Sequence, residues 1–147
     1  MKTLKTNNMT PIYAQAHDYS AFNVLAVDDI PLNLMLVQKM LGRFNFEMRT
    51  ASGGQQALDA VAQKKPDLIL LDLMMPGIDG FEVLRRLRGN PETADIQVVI
   101  LSALNSNEDV VKGFNAGAND FIMKPIIMEK LLTCVVNQLT IVEKRSK

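Results

Sequence analysis

Five short apolar runs punctuate the chain, at 24–27, 46–51, 68–71, 98–101 and 121–123. Around them, apolar residues recur at helical spacing. Leu36, Val37, Met40, Leu41 and Phe44 form one stripe, and Ala57, Leu58, Val61 and Ala62 a second. Val83, Leu84 and Leu87 give a third, with Arg85, Arg86 and Arg88 assigned to the wet side. Val110, Val111 and Phe114 give a short fourth, and Met128, Leu131, Leu132, Val135, Leu139 and Val142 a fifth. Gly53-Gly54, Pro66, Pro76-Gly77, Asn90-Pro91 and Gly117 fall at the boundaries, where turns are expected. Five strands alternating with five helices predict a parallel sheet covered on both faces. Right-handed crossovers make that sheet doubly wound.

Residues 1–21 are polar and aperiodic, and read as a flexible N-terminal extension with scope for local docking. The periodic part, 22–142, is expected to be the domain, and 143–147 a short C-terminal tail. A chain of 147 residues and 16.3 kDa suits one domain with a core of its own. Sixteen basic residues balance sixteen acidic ones, so the chain lacks the basic excess of a phosphate-contacting nucleic-acid module. One cysteine and one histidine leave no intramolecular disulfide and no Cys- or His-based metal motif. No run approaches the ~20 apolar residues of a membrane span, and the expected location is the cytoplasm.

The informative residues follow the apolar runs. The first run leads into Asp28-Asp29; the third ends at Asp72, the fourth at Ser102 and the fifth at Lys124. In an open parallel sheet these strand ends share one edge, the edge where ligands bind. Three carboxylates, a hydroxyl and an ammonium would converge there. Crowded carboxylates oppose one another's ionisation, and a hard cation such as Mg²⁺ relieves them. Lys124 suits a phosphate oxygen and Ser102 can donate to a second. Such a pocket suits phosphoryl transfer, with an aspartate as an available nucleophile.

These residues carry a resemblance. Val27-Asp28-Asp29, Leu71-Asp72-Leu73-Met74-Met75-Pro76-Gly77-Ile78-Asp79-Gly80, Leu101-Ser102-Ala103, Ala116-Gly117-Ala118-Asn119-Asp120 and Lys124-Pro125 occur in register across some 120 residues. The chain from about Phe22 to Val142 thereby resembles a two-component response-regulator receiver domain, here a stand-alone one. The resemblance implies a flavodoxin-like (βα)5 sandwich, its five parallel strands in the order 2-1-3-4-5. It implies Asp72 as phosphoacceptor, taking its phosphoryl group from a phosphohistidine on a sensor kinase or phosphotransfer protein. Mg²⁺ would be held by Asp29, Asp72 and the backbone carbonyl of Met74, with Asp28 acting through metal-bound water. Lys124 would pair with the carboxylates and then with the phosphoryl group, and Lys124-Pro125 would be cis. Ser102 would be the switch hydroxyl and Phe121 the switch aromatic, lacking the hydroxyl that Tyr often supplies there. Met74 and Leu104, two residues after Asp72 and Ser102, would restrain attacking water and prolong the phosphorylated state.

The first helix is expected to present Leu34 and Met35 beside the pocket, off its core stripe, as contacts for the phosphodonor. The fourth helix, fifth strand and fifth helix would change shape for a downstream protein. The broad apolar surface of the fifth helix, with Cys134, Val136 and Ile141, reads equally as a dimer face or as a wide core contact. Three rival readings stand. A haloacid-dehalogenase-type phosphatase would need a second Asp where Met74 stands, so turnover of an external substrate is not expected. A flavodoxin-like cofactor protein would need a Ser-, Thr- and Gly-rich first loop rather than Asp28-Asp29. A receiver working by protein contact without phosphorylation would not need the acidic pocket.

Overall fold

The computed structural model describes residues 10–15 and 17–145. Five strands, β1 (Asn23–Val27), β2 (Glu47–Ala51), β3 (Leu68–Leu71), β4 (Gln97–Ser102) and β5 (Asp120–Met123), form one parallel sheet in the order β2-β1-β3-β4-β5. Five helices follow them: α1 (Pro31–Met40), α2 (Gly54–Gln63), α3 (Gly80–Gly89), α4 (Asn107–Asn115) and α5 (Met128–Arg145). This is the doubly wound order expected.

Successive strand side chains point to opposite faces, so each central strand feeds two cores. Val24, Ala26, Leu68, Leu70, Val99 and Leu101 meet α1 and α5. Leu25, Val27, Ile69, Leu71, Val98 and Ile100 meet α2 and α3, with Phe121 and the segment after α4 at the margin. The three inner strands are buried throughout, which explains their unbroken apolar runs. Edge strand β2 is exposed only at Glu47 and Thr50; Arg49 is half-buried and donates to the Ala60 and Lys64 carbonyls and to Asn23 Oδ1.

Several helical faces differ from expectation. The first stripe took its phase from Phe44, but α1 ends at Met40, and Phe44 reaches the core from the following turn. Leu34, Val37 and Leu41 therefore face the sheet, while Leu36 is 46% exposed. In α4 the inward residue is Gly113; Val111 and Phe114 point outward at 56% and 45% exposure. Ala62 is exposed and Ala60 half-buried on α2. Arg88 is not on the wet side. Its guanidinium donates to the carbonyls of Ala94, Ile96 and Gly117 and to Asn119 Oδ1, tying the turn before β4 to the turn before β5.

Cys134 and Val136 are buried, which makes the breadth of α5 a core contact there; Ile141 stays exposed. The N-terminal segment supplies part of the cover. A short 3-10 turn, Ile12–Ala14, contacts α5, and Tyr19 is buried against Phe22 and Phe44. Asn45 Oδ1 accepts from the Tyr19 backbone N–H at 2.7 Å, and His17 meets Glu143 at 3.3 Å. The described part of this segment thus docks on the domain, while residues 1–9 and 16 of the expected extension lie outside the described residues. Among the described residues no helix is long and apolar enough to cross a membrane.

Candidate acidic phosphoryl-transfer site

Backbone pairing brings the polar residues to one rim. The N–H of Asp72 donates to Val27 O at 3.0 Å, that of Asp28 to Ala51 O at 3.2 Å, and that of Lys124 to Ser102 O at 2.8 Å. Each residue directly follows its strand or, for Ser102, ends it. Oxygens of Asp28, Asp29 and Asp72 lie within 4.8 Å of one another. Lys124 Nζ stands 3.0 Å from Asp28 Oδ2 and 3.9 Å from Asp72 Oδ2. Four of the five side chains expected at this edge therefore meet; the Ser102 hydroxyl is engaged with the Leu104 N–H instead.

Two of the three carboxylates accept a backbone N–H. Asp28 Oδ1 accepts from the Ile30 N–H at 2.9 Å, which bends the chain into α1. Asp72 Oδ1 accepts a longer bond, 3.3 Å, from the Met74 N–H. Burial pushes the Asp72 carboxyl above its ordinary pKa; Lys124 opposes this, Asp28 adds to it, the Met74 N–H opposes and Asp29 adds. One ammonium does not balance three carboxylates out of water. Oxygen ligands of this number and spacing fit a hard divalent cation.

The turn after β3 is shaped to hold Asp72. Gly77 adopts φ +76°, a conformation that only glycine takes without strain. The Gly80 N–H donates to Leu73 O at 3.0 Å, closing the loop. A β-carbon on Gly80 would lie 2.4 Å from the Asp72 carbonyl oxygen. Backbone contact at that position requires glycine, and Gly80 therefore belongs to the support of Asp72. The motif containing it was visible in the sequence, but its close approach was not. Asp79 then caps α3 by accepting from the Glu82 N–H.

Ser102 is fully buried, and its Oγ accepts from the Leu104 N–H at 3.1 Å. Phe121 is half-buried on the α3–α4 side, cross-strand from Ile100. Met74 is 56% exposed beside Asp72, and Leu104 is half-buried. The Lys124-Pro125 peptide is cis.

The docking pair splits. Met35 is 60% exposed, as expected, but Leu34 is half-buried and packs against the core. Leu36 takes its place on the open face with Leu32 and Ile30. Between α1 and the Lys124-Pro125-Ile126 segment lies a cavity of about 270 Å³, lined by Leu34, Leu36, Met40 and Ile126 and sharing Asp28 and Lys124 with the acidic site.

Comparisons with known proteins point the same way. The family model described as "Response regulator receiver domain" matches residues 24–136. The chain is 46% identical over 103 residues to the response regulator PleD of Caulobacter vibrioides, an alignment covering 70% of this chain and 23% of that protein. It spans less than half the length of the curated relatives at the head of that comparison. Among solved structures, it resembles the signal receiver domain of a putative LuxO repressor protein from Vibrio parahaemolyticus, with TM-score 0.80, 28% identity and coverage of 85% of this chain and 95% of that one. It also resembles the Mn²⁺-bound form of response regulator Rcp1, with TM-score 0.70, 28% identity and coverage of 78% and 91%.

Proposed function

This chain belongs to the response regulator receiver domain family, and on that premise we propose that it is a phosphorylation switch with Asp72 as phosphoacceptor. The observation carrying this reading is the meeting of three carboxylates within 4.8 Å at the strand ends with Lys124 among them. Asp29, Asp72 and the Met74 carbonyl would hold Mg²⁺, with Asp28 acting through metal-bound water, a reading supported by the all-oxygen donor set and by the similarity to the Mn²⁺-bound form of response regulator Rcp1. Such an ion, when bound, offsets charge on an incoming phosphoryl group.

The chain's own residues do the rest. The Asp72 carboxylate attacks phosphorus in line while the leaving imidazole of a donor histidine departs. The rigid β3 end and the Gly80 turn hold its backbone during this step. Lys124 then exchanges a carboxylate partner for a phosphoryl oxygen. Ser102 swings its hydroxyl from the Leu104 N–H to a second oxygen, leaving room toward which Phe121 turns. Two hydrogen bonds to a charged group supply about 1.5–3 kcal/mol each, against the roughly 5.5 kcal/mol that reverses a 1:99 balance.

A sensor histidine kinase or histidine phosphotransfer protein would supply the phosphoryl group, docking on the face of Met35 and Leu36. The α4–β5–α5 surface, with Val111, Phe114 and Met123 exposed, would meet a downstream protein or a second copy of the chain. Exposed Met74 occupies the position where a phosphatase of this chemistry would carry its acid, so the protein accepts and loses its own phosphoryl group without external turnover. The test is incubation with Mg²⁺ and acetyl phosphate followed by intact-mass measurement. One added phosphoryl group, lost in Asp72→Ala, is expected; an equal gain in that variant would place the acceptor elsewhere.

A further inference from the structure

Helix α4 is docked unusually. It buries one residue, Gly113, while its larger apolar side chains Val111 and Phe114 face outward. A helix gripped by a row of aliphatic side chains would resist displacement; this one has its closest approach at the backbone of Gly113, with Val110 only half-buried. What lies beneath is the cross-strand pair Ile100 and Phe121. A β-carbon on Gly113 would stand 2.9 Å from Ile100 Cδ1 and 3.2 and 3.3 Å from Cδ2 and Cε2 of the Phe121 ring. Carbon atoms in contact prefer about 3.5–4.0 Å, so no side chain larger than hydrogen fits without moving one of them. The neighbouring Lys112 reaches back over the Phe81 ring, with Nζ 4.1 Å from its centroid, joining α4 to α3.

Register connects this contact to the site. Ile100 and Ser102 are two apart on β4 and share a face, as do Phe121 and Met123 on β5. Gly113, Ile100, Phe121 and Ser102 therefore lie on the same side of the sheet, with the helix above and the acidic rim at the end. Any turn of the Phe121 ring toward Ser102 takes place under the α4 backbone at Gly113.

We infer that Gly113 is a positioning residue of the switch: its missing side chain leaves the clearance in which Phe121 moves beneath α4, so a methyl group there uncouples Phe121 from phosphorylation without touching the phosphoacceptor. The inference rests on the Asp72 switch proposed above and adds the element that transmits it. Gly113 touches none of the reacting groups and acts only through Phe121.

The experiment uses the full chain labelled with fluorophenylalanine, its Phe121 resonance assigned with Phe121→Leu. Spectra and intact mass are recorded before and after Mg²⁺ and acetyl phosphate. In the unaltered protein the Phe121 line should move on phosphorylation. In Gly113→Ala the added phosphoryl group should still appear, while the movement of that line falls at least about fivefold, a loss within the usual range of coupling between sites. The double variant Gly113→Ala/Ile100→Val removes the Cδ1 atom in closest conflict and relieves the general crowding. It should fold as the unaltered protein does and still show the loss, because its methyl meets the Phe121 ring. A full-sized movement in either variant would overturn the role of Gly113. An unaltered protein that takes no phosphoryl group, or whose Phe121 line stays still, would instead overturn the switch itself and this inference with it.

Discussion

Lys124 is the cation among three acidic neighbours, and replacing it with methionine tests what the cluster needs. Its side chain is 20% exposed, and those of Asp28 and Asp72 are 8% and 7% exposed. At an effective dielectric constant near 20, unit charges at 3.0 and 3.9 Å attract by about 5.5 and 4 kcal/mol. Desolvation of the ammonium and of both carboxylates offsets most of this, but breaking such a pair leaves the acids facing one another. A net loss of about 1–3 kcal/mol follows for Lys124→Met, because Met keeps the aliphatic packing and removes the charge. In a domain of this size each kcal/mol moves Tm by about 2–4 °C, so the fall should be on the order of 5 °C. The assay is thermal unfolding in chelator and again in excess Mg²⁺. In chelator the variant should melt below the unaltered protein. Added Mg²⁺ should raise its Tm by more, since the ion replaces the missing positive charge at a more negative site. Equal melting in chelator, or a smaller Mg²⁺ response in the variant, would refute the electrostatic account of the cluster.

Met74→Asn places an amide able to orient water beside Asp72, and loss of the phosphoryl group, followed by intact mass over time, should quicken several-fold; an unchanged rate would remove Met74 from control of that step. Leu36→Arg should slow transfer from a phosphohistidine donor while leaving uptake from acetyl phosphate intact. Leu34→Arg should unfold the protein or lower its Tm instead, as expected for a residue packed on the core. Burial, with Asp120 close by, pushes the Cys134 thiol far above its usual pKa, so it should resist alkylation in the folded protein and react on unfolding. Because the folded thiol holds its proton longer than the unfolded one, stability should fall as pH rises above about 8.5 and be unaffected below, by at most about 1.4 kcal/mol per pH unit. Urea midpoints of Cys134→Ala, compared across that range, should lack this component.

The strands and the rim could be read directly because burial on both faces leaves little choice of residue: 68–71 is apolar without interruption, and Asp72 follows at once. Parallel order then forces the strand ends together whatever the loops do. Helix faces were harder. A stripe that includes Phe44 fixes the wrong phase for α1, since periodicity alone does not mark where a helix stops. On α4 the inward residue is a glycine, which carries no hydrophobic signal, while the visible apolar residues are the ones left outside. Arg88 shows a third limit: a guanidinium can be drawn inward by backbone carbonyls that no side-chain pattern reveals. Gly80 shows a fourth, because contact between main-chain atoms leaves its mark only as a missing side chain.

The clasp between His17 and Glu143, with Tyr19 lodged behind it, has a consequence for traffic around the molecule. Both the segment entering β1 and the last turns of α5 sit at the pole where the strands begin, and Asp72 is at the pole where they end. The described ends of the chain therefore lie on the far side from the acidic rim. A donor of the kind proposed for Asp72 would thus come in at the pole opposite the clasp, and a change begun there would have to cross the flank of the sheet to be felt at it.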